Sequence, residues 1–467
     1  MRKVQIAIIG AGTAGLTALG LIRKHTQDFV IVNEGPYGTT CARIGCMPSK
    51  ALIQAADDYH RRHALNELGI RGGEGLRADL PAILRRVRDY RDARVNSVLA
   101  ATDALGDRNI PGRARLDGPH HIIVKRTDND NEERIEADRI IVATGSRPVI
   151  PDAWRPFAAN ILTTDNLFEQ KDLAPRGAVI GLGVIGLELG QALARLGLDI
   201  SGYEMRETLG PISDPVVQEE AKHLMKSDFP INLGRAVQLR HSANGVAIDD
   251  GETAHEVDWV LAAMGRRANI EGLGLETLNV TLDRRGLPPF DRHTMQVDDL
   301  PVFIAGDADG ERPVLHEASD EGFIAAWNAL HGPTSFRRRV PLYIAFSDPQ
   351  IAVVGETYAQ LRANEEIVTG EYDFSHQARA IAMLRASGKL RIYADRGTSR
   401  LRGAEMLIPA AEHLAHLIAL AIQQQMTVAE FLRMPFYHPV LEEGLRSALR
   451  ALAKKVYGEA PLELERL

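Results

Sequence analysis

Cys41 and Cys46 are the only cysteines in a chain of 467 residues. Two cysteines placed at random would fall within five positions of each other only about 2 times in 100. Closing so small a loop would stabilise the fold by about 2 kcal/mol, little for a protein of this size. In a straight helix, residues five apart have Cα atoms roughly 8.6 Å apart, beyond the ~7 Å limit for a bridge, so the turn between them must be distorted. Gly45 permits the distortion. Pro48 and the amphipathic run KALIQAADDYHRR follow, which puts Cys46 near a helix N-terminus, where a thiolate is stabilised. The pattern points to a redox-active dithiol, with two buried thiols that never pair as the plainer alternative. Two ligands do not complete a zinc shell, so no metal is expected.

The elements that would position this pair are duplicated along the chain. The strand-like QIAIIG leads into Gly10, Gly12 and Gly15 and the helical run LTALGLIRKH, and Glu34 closes the next apolar strand, FVIVNE. GAVIGLG repeats the arrangement with Gly181, Gly183 and Gly186, the helix LELGQALARLG, and Glu204 closing DISGYE. In such a fingerprint the first glycine makes the turn and the second admits a pyrophosphate. The third lets helix and strand pack, and the acid binds ribose hydroxyls. Asp138-Arg-Ile-Ile-Val-Ala-Thr144-Gly145-Ser-Arg-Pro likewise returns 120 residues later as Asp258-Trp-Val-Leu-Ala-Ala-Met-Gly265-Arg-Arg-Ala. A third strand, VFIAGDADG, ends in a turn carrying Asp307. Two dinucleotide folds and one dithiol imply electrons passing between a dinucleotide pair and a disulfide, with the cofactors supplying the hydride chemistry.

Beyond about Pro341 come the strand-like KLRIYAD and LRGAEMLI and an apolar helix, EHLAHLIALAIQQQ, suited to a core or a dimer interface. In Phe436-Tyr-His438-Pro439-Val-Leu-Glu442-Glu443, Pro439 is expected to open a helix with both glutamates in its first turn. From spacing alone, the acids equally suit a helix dipole and His438 a solvated loop.

Composition narrows the class. Apolar residues make up 45% and charged residues 25%, the balance of a globular protein rather than a disordered one. A net charge of −7, spread along the chain, gives no polyanion-binding signature, so nucleic acid is not an expected partner. The apolar start is broken by glycines and lacks a small-residue cleavage site, and no other run approaches the ~18 residues of a membrane span. A cytoplasmic location without membrane association is expected.

The segment Gly38-Thr-Thr40-Cys41-Ala-Arg-Ile-Gly45-Cys46-Met-Pro48-Ser-Lys50 resembles the GGTCxNxGCxPSK motif of the disulfide-reductase flavoproteins, which include dihydrolipoamide dehydrogenase, glutathione reductase and mercuric reductase. The two fingerprints, ATG at 143–145, GRRAN at 265–269, AGD at 305–307 and His438-Pro439 extend the resemblance over the whole chain. It implies an α/β protein with two Rossmann-like domains and an α+β dimerisation domain. The expected boundaries are 1–147 for FAD, 148–265 for NAD, 266–338 completing the FAD domain and 339–467 for the interface. Carried over by position, Cys41 is the interchange thiol and Cys46 the thiol beside the flavin. His438 is the acid–base, oriented by Glu443 and supplied by the other subunit of a homodimer. Lys50 beside the flavin pairs with Glu188, and Asp307 is the ribityl ligand. Leu315 and His316 border the flavin ring, and Thr40, Ala114, Thr144, Gly145 and Gly265 complete the nucleotide-binding positions.

Thr39, Arg43, Ala268 and Phe436 depart from the family's residues and leave the substrate open. With no cysteine after Cys46, the chain lacks the second pair of mercuric reductases and the larger thioredoxin reductases. Glu204 would repel the 2′-phosphate gripped by glutathione reductases, although Arg206 leaves room for NADP. The best match is a dihydrolipoamide dehydrogenase type, oxidising a lipoyl-carrying protein or small dithiol with NAD. The alternatives are an NAD(P)H-dependent reductase of another disulfide, such as glutathione disulfide, and a flavin-containing redox sensor.

Overall fold

A computed structural model describes residues 1–129, 131–242, 245–459 and 463–464. The first sheet has a parallel core in which Val302–Ile304, Glu132–Val142, Arg2–Ile9 and Phe29–Asn33 lie side by side. Asn109–Leu116 pairs parallel with Phe29–Asn33 at its start and then turns into an antiparallel meander with His121–Arg126 and Glu132–Val142. Ile6, Ala7 and Ile8 are fully buried, because a central parallel strand is covered on both faces and needs a continuous apolar run. The chain thus returns to this sheet through Val302–Ile304 after the long excursion that follows Val142.

That excursion forms the second sheet, five parallel strands in the order Ile231–Leu233, Asp199–Glu204, Arg176–Ile180, Trp259–Ala262, Ile161–Leu162. A small antiparallel sheet over Gln238–Ser242, Gly245–Asp249 and Ala254–Val257 packs on it. The duplicated turns meet in a two-stranded ribbon, Ser146–Pro148 against Arg266–Ala268.

The last third is a five-stranded antiparallel sheet ordered Leu342–Ala345, Gln350–Gly355, Leu401–Ile408, Lys389–Asp395, Ile367–Asp373. The helices Ala411–Gln423 and Glu442–Tyr457 cover it, burying Leu414, Ile418, Leu445, Leu449 and Leu452 at helical spacing. Pro439 does not open the second of these helices. It sits in a loop after a cis peptide with His438, and the helix begins at Glu442, which still leaves both glutamates in its first turn.

Among the described residues no helix is long and apolar enough to cross a membrane.

Candidate active site

The dithiol sits where one helix breaks and the next begins. Thr40–Ile44 forms a single turn, Gly45 departs to φ −125°, ψ −118°, and Cys46 is the first residue of the helix Cys46–His60. A Cβ at Gly45 would lie 3.0 Å from the Thr40 carbonyl and 3.2 Å from the Cys41 Cα. The bare glycine therefore lets the chain fold back on itself and brings the two sulfurs together. Both thiols are free, and they titrate as a pair. Hydrogen bonding to Cys41 brings Cys46 down to about 7, with Lys50 opposing the effect of burial, while the same bond and burial push Cys41 up. Cys46, at the helix N-terminus, is thus the more readily ionised sulfur of the two, and Cys41 the one that holds its proton.

Thr39, the residue that replaces a family glycine, holds φ +56°, ψ +150°, a region costly for a β-branched side chain. Its Oγ1 accepts a hydrogen bond from Ala42 N at 3.1 Å and caps the Cys41 turn, a service glycine cannot give.

Lys50 Nζ donates to both oxygens of Glu188 at 2.9 and 2.7 Å and lies 4.6 Å from the centre of the Phe346 ring. Glu188 is buried and also accepts from Phe346 N. Seven residues further along each helix, Arg195 Nη1 meets Asp57 at 2.8 Å. Arg195 also holds Asp228 and Asp348. The two pairs, of opposite polarity and equal spacing, clamp the dithiol helix alongside the second fingerprint helix, Val184–Arg195. Arg195, Asp57 and Asp348 were invisible to motif reading, because their partners lie more than a hundred residues apart.

The two glycine fingerprints superimpose in function. A Cβ at Gly15 would stand 1.9 Å from the Gly10 carbonyl, and one at Gly186 would stand 1.9 Å from that of Gly181. Gly10 and Gly181 adopt φ +109° and +94° and press on the carbonyls of Ala143 and Ala263. Gly12 and Gly183, by contrast, have open space before them, at the N-termini of Thr13–Ile22 and Val184–Arg195. That is the cradle a pyrophosphate requires, in duplicate. Beside Gly10, Thr144 Oγ1 is buried with no hydrogen-bond partner among the described residues. The residues fit a dinucleotide in each domain.

A cavity of about 1480 Å³ joins the two cradles to the dithiol. Thr40, Cys41, Cys46, Lys50 and Glu188 line its centre, with Gly145, Asp307, Leu315 and His316 on the first-domain side. Gly181, Gly183, Glu204 and Gly265 line the second-domain side. Asp307 accepts a hydrogen bond from Ser146 Oγ at 2.5 Å. Ala114 instead packs in the core of the first sheet, opposite Val124. Glu34 stands exposed, 3.8 Å from Arg113.

Glu204 is held differently, buried and accepting from Leu182 N at 2.8 Å, Arg206 N at 3.1 Å and Arg206 Nε at 3.2 Å. Burial works against its charge, but these bonds carry its pKa below the usual carboxylate range.

His438 and Glu443 do not line this cavity. The ring is 74% exposed, and its Nδ1 lies 3.0 Å from Glu443 Oε1. A carboxylate only accepts, so Nδ1 carries a hydrogen, and Nε2 is the nitrogen left free of Glu443. The bond from His438 in turn holds the Glu443 carboxyl below its usual range.

Two dinucleotide cradles converging on one dithiol define a class: an oxidoreductase that moves electrons between nucleotides and sulfur. The chain matches the pyridine nucleotide-disulphide oxidoreductase family over residues 4–322 and that family's dimerisation domain over residues 342–449. It is 31% identical to dihydrolipoyl dehydrogenase of Thermus scotoductus, covering 97% of this chain and 98% of the relative. It is 30% identical to mercuric reductase of Shigella flexneri, covering 97% and 81% respectively. The crystal structure of LpdA from Mycobacterium tuberculosis superimposes with a TM-score of 0.84 at 25% identity, covering 96% of this chain and 99% of that one. The chain belongs to the pyridine nucleotide-disulphide oxidoreductases and is an FAD-dependent disulfide oxidoreductase, a class whose cofactors are FAD and NAD(H).

Proposed function

We infer that the chain is a dihydrolipoyl dehydrogenase, oxidising a protein-bound dihydrolipoyl group with NAD as acceptor, and that it works as a homodimer. The observation that carries the reading is a Cys41/Cys46 dithiol sharing one cavity with a nicotinamide cradle whose acid, Glu204, is charged and held in place, while the same chain carries a His438–Glu443 pair on its surface. The full-length likeness to dihydrolipoyl dehydrogenases supports it. The absence of a cysteine beyond Cys46 weighs against the mercuric reductase reading.

The cycle starts from the Cys41–Cys46 disulfide. His438 Nε2 takes a proton from one substrate thiol, and the resulting thiolate attacks Cys41 Sγ, expelling Cys46 as a thiolate. The second substrate thiol then attacks the substrate sulfur of this mixed disulfide and releases Cys41, which leaves with the remaining proton. The substrate has lost two electrons as its disulfide forms, and the protein pair holds them. This product state is the one described above, with Cys46 the thiolate and Cys41 the thiol. Lys50 stabilises the thiolate, and Glu443 fixes the tautomer of His438. FAD, when bound, supplies the relay from this pair to NAD.

In one chain His438 and Glu443 lie outside the cavity that holds the dithiol, so the reading places those of one protomer over the dithiol of its partner. The domain boundaries read from the sequence, 1–147, 148–265, 266–338 and 339–467, are part of the same proposal.

The test is steady-state turnover with dihydrolipoamide, glutathione disulfide and free lipoate, each with NAD and NADP nucleotides. Dihydrolipoamide with NAD should dominate. Glu204→Ala with Met205→Arg should move the preference toward NADP, since it removes a repelling charge and supplies a phosphate partner. A wild-type preference for NADP overturns the role given to Glu204. Stoichiometric thiol oxidation without turnover would favour a redox sensor instead.

A further inference from the structure

The duplicated turns contain a contact that neither fingerprint explains. Ser146 and Arg266 occupy equivalent positions in the two repeats, each directly after the turn glycine, Gly145 or Gly265. In the ribbon that joins the two nucleotide domains Ser146 stands opposite Ala268 and Arg266 opposite Pro148, and the Arg266 side chain crosses the ribbon to reach Ser146. Arg266 Nε donates to Ser146 Oγ at 2.8 Å, and Nη2 donates to the Ser146 carbonyl at 2.7 Å. Nη1 reaches Thr164 Oγ1 at 3.3 Å. The Ser146 hydroxyl has one hydrogen, and it goes to Asp307 Oδ2 at 2.5 Å.

The result is a directed chain, Arg266 to Ser146 to Asp307, that starts at the carboxyl end of Trp259–Ala262 in the second sheet. It ends at the carboxyl end of Val302–Ile304 in the first. Carboxyl edges of parallel strands are where ligands sit, and both Arg266 and Asp307 line the shared cavity. With Arg266 donating to its oxygen, the serine hydroxyl cannot turn away from Asp307, so one carboxylate oxygen is occupied and the other is left to accept from a ligand. The neighbouring Asn269 strengthens the ribbon, its N–H on the Gly145 carbonyl at 2.9 Å and its Nδ2 on that of Thr144 at 3.1 Å.

We propose that Arg266, through Ser146, is a positioning residue that couples the two nucleotide sites: a nicotinamide dinucleotide seated at the Gly265 turn orders Arg266 and thereby strengthens the hold of Asp307 on the flavin nucleotide. The proposal rests on the nucleotide assignment above but not on the dithiol substrate. Coupling between sites is reciprocal and commonly amounts to about fivefold or more in affinity.

The experiment follows release of FAD from the intact holoenzyme by the rise in free-flavin fluorescence, with and without saturating NAD or NADP and without any dithiol. In wild type, NAD should slow release about fivefold or more. Ser146→Ala keeps the carbonyl that Arg266 holds and removes only the relay, so the ratio with and without NAD should fall to near one. Arg266→Met should do the same, while Arg267→Met, an exposed ribbon residue paired with Glu271, should keep the wild-type ratio. A merely structural role for Arg266 would change release equally with and without NAD. A wild-type ratio of one, or a Ser146→Ala variant that keeps the full ratio, overturns the proposal. If only NADP slows release, the relay stands and the choice of NAD fails.

Discussion

The two halves of the catalytic set are built in opposite ways. The dithiol half is finished within one chain: Cys41 and Cys46 lie in a cavity with Lys50, Glu188 is buried behind them, and two ion pairs clamp their helix. The acid–base half is finished only as a pair, His438 on Glu443, with the working nitrogen turned to solvent. Sulfur chemistry at neutral pH needs a shielded, electropositive pocket to hold a thiolate. A histidine base needs only an orienting partner. The first half is therefore set in a cavity whose walls, Glu188 among them, are buried, whereas the second is carried on a surface.

The largest expected effect breaks the second half. His438→Gln should lower dithiol turnover about a hundredfold or more, the range for losing a positioned acid–base, while flavin reduction by NADH stays largely intact. Mixed with an inactive Cys41→Ser variant under subunit exchange, it should regain about one quarter of wild-type activity, because half the dimers are mixed and each has one good site of two. Demonstrated exchange with no recovery would mean that the set is completed within one chain.

A smaller effect probes the first half. The Cys46 thiolate should appear as pH rises through about 7, read as the midpoint of alkylation of the reduced protein and of its long-wavelength thiolate-to-flavin absorbance. Below that pH the sulfur is protonated and the band fades. Lys50→Met removes the attracting charge and leaves Glu188 nearby, so the midpoint should rise by about one unit, a tenfold loss of thiolate at fixed pH below it. The band should survive Cys41→Ala and vanish in Cys46→Ala. The reverse would exchange the roles of the two sulfurs.

Glu443→Gln sharpens the comparison further. The amide can still accept from Nδ1–H but no longer stabilises the charged ring, and a loss of about tenfold in kcat at near-constant KM is expected.

The smallest effect is at Thr39. Thr39→Ala keeps the strained φ and loses the cap, and should lower stability by about 1 kcal/mol. Thr39→Gly loses the cap but relieves the strain and should stay within about 1 kcal/mol of wild type in chemical denaturation.

The sequence by itself determined the parts whose chemistry is local. Five-residue spacing with Gly45, the strand–glycine–helix order at 10–15 and 181–186, and the acids Glu34 and Glu204 are readable because their partners lie within a few dozen residues. Even there, the local reading of Pro439 as a helix opener failed, since the helix starts three residues later, at Glu442. It was the tertiary structure that decided which of these parts meet. Arg195 with Asp57, and Ser146 with both Arg266 and Asp307, are contacts across 120 residues or more, and Lys50 with Glu188, expected from the family resemblance alone, spans 138. No periodicity or spacing records such pairs, because they arise where helices or strand ends far apart in the chain are packed against one another. The different grips on Glu34 and Glu204 follow from the same cause. Both acids end a strand in the same motif, but only the second is enclosed by its neighbours, and burial rather than residue type sets how firmly a carboxylate is held.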